Sequence, residues 1–146
     1  MLDLSLACMH HLLILALFGL LLSEFLLLKP GMDALDIQRL SRLDLMYGTL
    51  AGLLLVVGLC RAIFATKGWD YYSHNAYFWA KLGTFLLISF LSIPPTRAIV
   101  RWRRSGASPD ASAVRSVRRL FHYELALFVL LPIFAAAMAR GYGEFR

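Results

Sequence analysis

Two adjacent histidines, His10 and His11, stand inside the apolar run LSLACMHHLLILALFGLLLSEFLLL of residues 4–28, where Glu24 is the single formally charged residue. A charged side chain at bilayer depth costs about 2.5–3.5 kcal/mol or more, so such groups turn toward partners rather than lipid. The other polar residues of the apolar runs sort into two layers. Toward one end lie His10, His11, Arg61, His74 and Lys81; toward the other lie Glu24, Asp44, Tyr47, Arg97, His122 and Glu124. Helical rotation leaves His10 and Glu24 about 40° apart, whereas His11 is about 140° from Glu24. His10 is therefore the expected interior histidine, and His11 the peripheral one.

Three chemistries could use these residues. Neutral imidazole ligates haem iron, and cationic side chains pair with propionates. On that reading His10 is the metal ligand of haem b or another porphyrin, and Arg61, His74 and Lys81 hold the cofactor. His122 should lie about 15 Å of depth from His10, too far to be a second ligand of the same iron. Membrane carboxyls and histidines also mark proton paths, which makes His10, Glu24 and Glu124 the catalytic candidates. Finally, Met9-His10-His11 offers ligands that suit copper, although neighbours on a helix diverge by about 100°. Structural roles stand beside each of these. A membrane histidine that only bonds another helix contributes about 0.6–2 kcal/mol. Glu24 and Glu124 could pair with Arg97 and the arginines near it, and His74, within YYSHN, could be a solvated loop residue. Lys81 falls inside an apolar run and needs a partner.

The elements that position these groups are long apolar helices. Of 146 residues 60% are hydrophobic and 16% charged, against about 25% charged in soluble domains. Runs at Leu45–Phe64, Ala76–Pro94 and Leu120–Met138 follow the first, each with roughly the 17–25 residues of a membrane span. The expected fold is all-α: one integral membrane four-helix bundle over residues 1–146, with spans near 4–28, 45–64, 76–94 and 120–138. The first run has no basic leader and no Ala-x-Ala site, so it reads as a retained helix rather than a signal peptide.

Charge sets the orientation. Arg97, Arg101, Arg103, Arg104, Arg115, Arg118 and Arg119 crowd one connection, and Lys29, Arg39 and Arg42 another. Only Arg61, Lys67, Arg140 and Arg146 fall on the opposite side. The positive-inside rule then places both termini in the periplasm of a bacterial inner membrane. The net charge of +6 is on this reading a topology signal and an attraction to anionic lipid head groups, at about 1 kcal/mol per residue. No nucleic-acid partner is expected, since Trp-Arg-Arg alone carries no binding fold.

Local signals complete the layout. Pro30-Gly31 should end the first helix. Asp33–Leu43 reads as a separate interfacial helix, and Ser41 with Asp44 as a capping box opening the second span. Pro94-Pro95 should kink or stop the third span, and Ser105–Ala113 should be a mobile linker. Gly48 and Gly52 form a GxxxG pair that favours close packing within the bundle, with pairing to a second copy or a membrane-protein partner as the alternative. Cys8 and Cys60 read as two separate buried thiols, with a disulfide between helices one and two as the alternative, and neither belongs to a CxxC motif.

The segments HHLLILALFGLLLSEFLLLK, RLDLMYGTLAGLLLVVGLCRAIF, YFWAKLGTFLLISFLSIPPT and RRLFHYELALFVLLPIFAAAMARG resemble an uncharacterised family of small four-span bacterial inner-membrane proteins. More distantly, the layout is similar to HemJ-type protoporphyrinogen oxidases and CopD-like membrane proteins. That resemblance implies roles for His10 early in helix one, Lys81 in helix three and Glu124 early in helix four. Trp79 stands where the HemJ-type proteins have a histidine, and Glu24 where they have an arginine. The expected function is a small inner-membrane redox protein associated with haem or porphyrin. The alternatives are a non-catalytic accessory subunit of a larger membrane complex and a small transporter or metal-handling protein.

Overall fold

The computed structural model describes residues 2–64 and 68–145; Lys67 and Arg146, which entered the charge count above, lie outside them. Among the described residues seven helices follow one another: α1 (Leu2–Leu27), α2 (Ala34–Phe64), α3 (Gly68–Ser73), α4 (Ala76–Leu91), α5 (Ile93–Ser105), α6 (Ala111–Phe128) and α7 (Leu130–Ala139). With α4–α5 and α6–α7 each acting as one broken rod, four stretches are long and apolar enough to cross a membrane: Leu4–Leu27, Ala34–Phe64, Ala76–Ser105 and Ala111–Ala139. Helices satisfy their own backbone groups, which lipid cannot do for them.

The second rod differs from expectation. Asp33–Leu43 is not a separate interfacial helix; it is the first three turns of α2, which runs unbroken for 31 residues. No glycine or proline interrupts Ala34–Tyr47, and Ile37 and Leu40 are buried, so packing carries the helix through. The start is secured by Asp33, whose carboxylate accepts the Asp36 N–H at 2.7 Å. Ser41 and Asp44 are therefore interior helix residues, both buried, and not a capping box.

The broken rods follow proline chemistry. Ile93-Pro94-Pro95 begins α5 after a break at Ser92, where proline's missing N–H costs a helix nothing. Pro132 cannot donate to the Phe128 carbonyl, and α6 gives way to α7 at Val129. Sequence reading passed over that second break.

Ser105–Ala113 is not a free linker. Helix α5 ends at Gly106, whose φ of +64° suits glycine. The Ser108 hydroxyl then donates to the Met32 carbonyl, the Gly31 N–H reaches the Pro109 carbonyl at 3.4 Å, and Met32 and Pro109 are buried. Asp110 caps α6 by accepting the Ala113 N–H at 2.9 Å. That bond and the Ser112 hydroxyl hold its carboxyl below the usual carboxylate range.

Leu17, Leu21, Leu40, Leu54, Ile88, Ile99 and Phe121 fill the centre of the bundle. Leu12, Leu15, Leu26, Leu45 and Phe90 are each about two-thirds exposed, an apolar exterior that water would not tolerate and lipid does. Gly48 and Gly52 also face outward. A Cβ added at either meets nothing within 4 Å, so the GxxxG pair does not mediate packing within the bundle as expected. Cys8 and Cys60 are free thiols.

At the His10 end, Asn75 is fully buried. Its side chain accepts from Tyr77 N at 2.9 Å to cap α4 and donates to the Tyr142 carbonyl at 3.1 Å. This ties the C-terminal turn to the start of the third rod. Trp69, Phe78 and Trp79 stack edge to face beside it, an aromatic group of the kind found at membrane interfaces.

Candidate functional site

His10 is 6% exposed. Its face of α1 continues through Leu17 and Leu21 into the core, which points the imidazole at α2 and α4. There Lys81 Nζ lies 3.5 Å from His10 Nε2. Lysine can only donate, so Nε2 accepts and Nδ1 carries the ring proton. The lone pair engaged by Lys81 is thus the one a metal would take. On α2, Gly58 provides the space: a Cβ there would stand 3.2 Å from His10 Cε1. One turn further on, Arg61 is half-buried.

These groups line a cavity of about 80 Å³ with Tyr72, Phe78, Phe85 and Met138 among its walls. Among the described residues no acidic side chain lines it. His10 Nδ1 and Arg61 Nε are buried without a hydrogen-bond partner. Among the described residues the ion pair found is Lys29–Asp36, at 2.8 Å on the surface; it raises the Lys29 pKa above its ordinary value. The pocket therefore gathers an imidazole, an ammonium and a guanidinium, with no counter-charge among the described residues.

The remaining histidines are elsewhere. His11 is exposed and its Nδ1 sits 2.7 Å from the Ala7 carbonyl of its own helix. Met9 is exposed as well, so Met9-His10-His11 does not converge, as the 100° rotation requires. Among the described residues no three His, Cys, Asp or Glu side chains group to hold a metal ion. His74 does not join the pocket expected of it. It is exposed, with Nδ1 2.8 Å from the Asp70 carbonyl, because it ends the short α3 outside the bundle. His122 bonds the Arg118 carbonyl at 3.0 Å and sets its ring against Phe25.

The second layer is acidic. Glu24 and Glu124 are 1% and 0% exposed, and Asp44 is 8% exposed. Thr96 donates to Asp44 Oδ1 at 2.7 Å, and Ser92 Oγ lies 3.1 Å from Glu124 Oε2. Glu24 Oε1 and Glu124 Oε1 have no partner. The arginines considered as their partners do not reach them: Arg97 is exposed, and the Arg118 guanidinium lies 5.0 Å over the Phe25 ring. Ser92 and Thr96 escaped the sequence reading, although their i, i+4 spacing puts them on one helix face.

The two layers are separate sites. His10 and Glu24 share a face of α1 but stand fourteen residues apart, about 21 Å along the axis. Leu17, Leu21, Leu54, Phe85 and Ile88, all buried, fill the space between. On the acidic side an outward groove of about 500 Å³ runs over Gly48 and Gly52 to Tyr47, Ser92, Thr96 and Arg97.

Over residues 2–143 the chain matches the family described as Predicted membrane protein (DUF2214). The match covers nearly the whole sequence, and the chain belongs to that family of membrane proteins. No curated protein matches it, and no solved structure does.

Proposed function

We propose that this member of the DUF2214 family is a small redox protein of the bacterial inner membrane that holds haem b or another porphyrin at His10. One observation carries the reading: His10, Arg61 and Lys81 meet in a largely apolar pocket that, among the described residues, no acidic side chain lines. Uncompensated cations are costly in a membrane protein interior, and an anionic occupant would supply the missing charge. The donor set suits a porphyrin. His10 offers an imidazole nitrogen, while Lys81 and the unpartnered Arg61 Nε offer cations to its acidic groups. Haem, when bound, supplies one-electron chemistry. The chain's own part is to bind, to orient and to exclude water, with Glu24 and Glu124 handling protons in the other layer. Pockets that enclose a whole ligand measure about 300–1,000 Å³. Against the cavity of about 80 Å³, porphyrin entry requires the seam between α1, α2 and α4 to widen.

Haem titrated into ligand-free protein in detergent should bind and give a Soret band. Arg61→Gln and Lys81→Met should each weaken binding about tenfold to a hundredfold, the worth of one charge-assisted hydrogen bond. Wild-type affinity in both variants would remove the pocket from the reading. The arginine asymmetry further places both termini in the periplasm. A reporter fused after Arg146 should then behave as translocated; cytoplasmic reporter activity there would reverse the orientation.

The outward groove over Gly48 and Gly52 favours one second reading, an accessory subunit that packs this face on a partner's helix. Such a protein would purify colourless and together with a larger membrane protein.

A further inference from the structure

We propose that Glu124, with Glu24 behind it, is a proton-binding site reached from the α5 side through the hydroxyls of Ser92, Tyr47 and Thr96. The inference deepens the proton-handling part of the reading above, and it stands without any cofactor at His10.

The burial of Glu124 carries it. Ser92 Oγ donates to Glu124 Oε2 at 3.1 Å and lies 2.8 Å from the Ile88 carbonyl oxygen, so its single hydrogen is shared between two acceptors. Glu124 is fully buried, and its other oxygen has no partner. An ionised carboxylate left so would cost far more than a neutral carboxyl.

The groups facing this site from each packed element are few. Helix α1 brings Glu24, which is 1% exposed and has Asp44 and Glu124 as its electrostatic neighbours. Helix α2 brings Asp44 and Tyr47, and Tyr47 lines the outward groove together with Ser92. Ser92 and Thr96 belong to the third rod, where Arg97 is exposed and Arg103 donates to Ser41 at 3.2 Å. On α6, Arg118 and His122 lie against Phe25 instead. Among the described residues no cation pairs with these carboxyls, so a proton neutralises them.

Tyr47, Ser92 and Thr96 all line the outward groove, which gives the proton a route. In the release step the Glu124 O–H breaks and its proton bonds to the Ser92 oxygen. Ser92's original hydrogen leaves the Ile88 carbonyl for a water or hydroxide in the groove. Glu124 is left anionic and accepts from the serine. Loading reverses these moves. The buried belt of Leu17, Leu21, Leu54, Phe85 and Ile88 closes the route toward His10.

Infrared spectroscopy of the full-length protein in lipid tests this. At neutral pH the wild type should show the C=O stretch of a buried protonated carboxyl. Glu124→Gln should remove that band, Ser92→Ala should shift it, and His10→Gln should leave it unmoved. Ser92→Ala, which removes the hydroxyl that carries the proton, should also slow the band's response to deuterium oxide by about a hundredfold or more, the effect of losing a positioned proton carrier. Absence of a protonated carboxyl in the wild type would overturn the proposal. So would a band that neither Glu124→Gln nor, should that variant not fold, Ser92→Ala alters. Failure here leaves the haem titration untouched, and failure of the titration leaves the carboxyl band untouched.

Discussion

His10→Ala is expected to abolish the Soret band of the purified protein while leaving the bundle folded. His10 is the one imidazole at the basic pocket; His11, His74 and His122 are exposed and bonded to their own helices or turns. No neighbouring histidine can substitute by a rotamer change. The fold should survive because the imidazole's interhelical bond is the 3.5 Å contact with Lys81, worth about 0.6–2 kcal/mol in a membrane bundle. The core at Leu17 and Leu21 is untouched. Absorption and circular dichroism on one sample separate the two effects. A variant that keeps its Soret band would assign the iron to another ligand, and one that loses helicity would make His10 structural.

The second large effect is expected from Gly58→Leu. A Cβ at this position already stands 3.2 Å from His10 Cε1 and 3.6 Å from Nδ1. Three further carbons must enter the cavity of about 80 Å³ or push the imidazole aside. Overpacking of this kind costs typically about 1–3 kcal/mol, and here that cost falls on the binding geometry, so haem affinity should fall about fivefold to a hundredfold. Gly52→Leu is the control. It adds the same side chain to the same helix where nothing stands within 4 Å of the new Cβ, and it should leave haem affinity unchanged. Equal losses from both substitutions would mean that helix α2, and not the His10 pocket, responds to bulk. A loss from Gly52→Leu alone would move the site to the outward groove.

Much of this arrangement was legible in the sequence because lipid permits few solutions. Apolar run length located the four rods, and the rotation of about 100° per residue separated buried His10 from exposed His11. The same arithmetic put Glu24 on the interior face. Lys81 announced itself as a cation inside an apolar run, and its neighbour proved to be His10.

What escaped depends on rotation between helices, which one chain's periodicity does not contain. Gly48 and Gly52 carry a packing motif, yet α2 turns them outward. Arg97 was a plausible partner for Glu24 and Glu124, yet the rod beginning at Ile93 leaves it exposed. Ser92 and Thr96 are unremarkable residues until α5 brings them against Glu124 and Asp44. His74 shared a depth with His10 but sits on α3, outside the bundle. Depth is written in sequence order, whereas convergence depends on how four rods are turned about their axes.

The central claim is that a porphyrin supplies the negative charge missing around His10, Arg61 and Lys81. The most direct measurement is the absorption spectrum of wild-type protein purified in mild detergent with its native lipids from haem-replete cells. The account predicts a Soret band that travels with the monodisperse protein peak. Colourless, folded protein from such cells would contradict it.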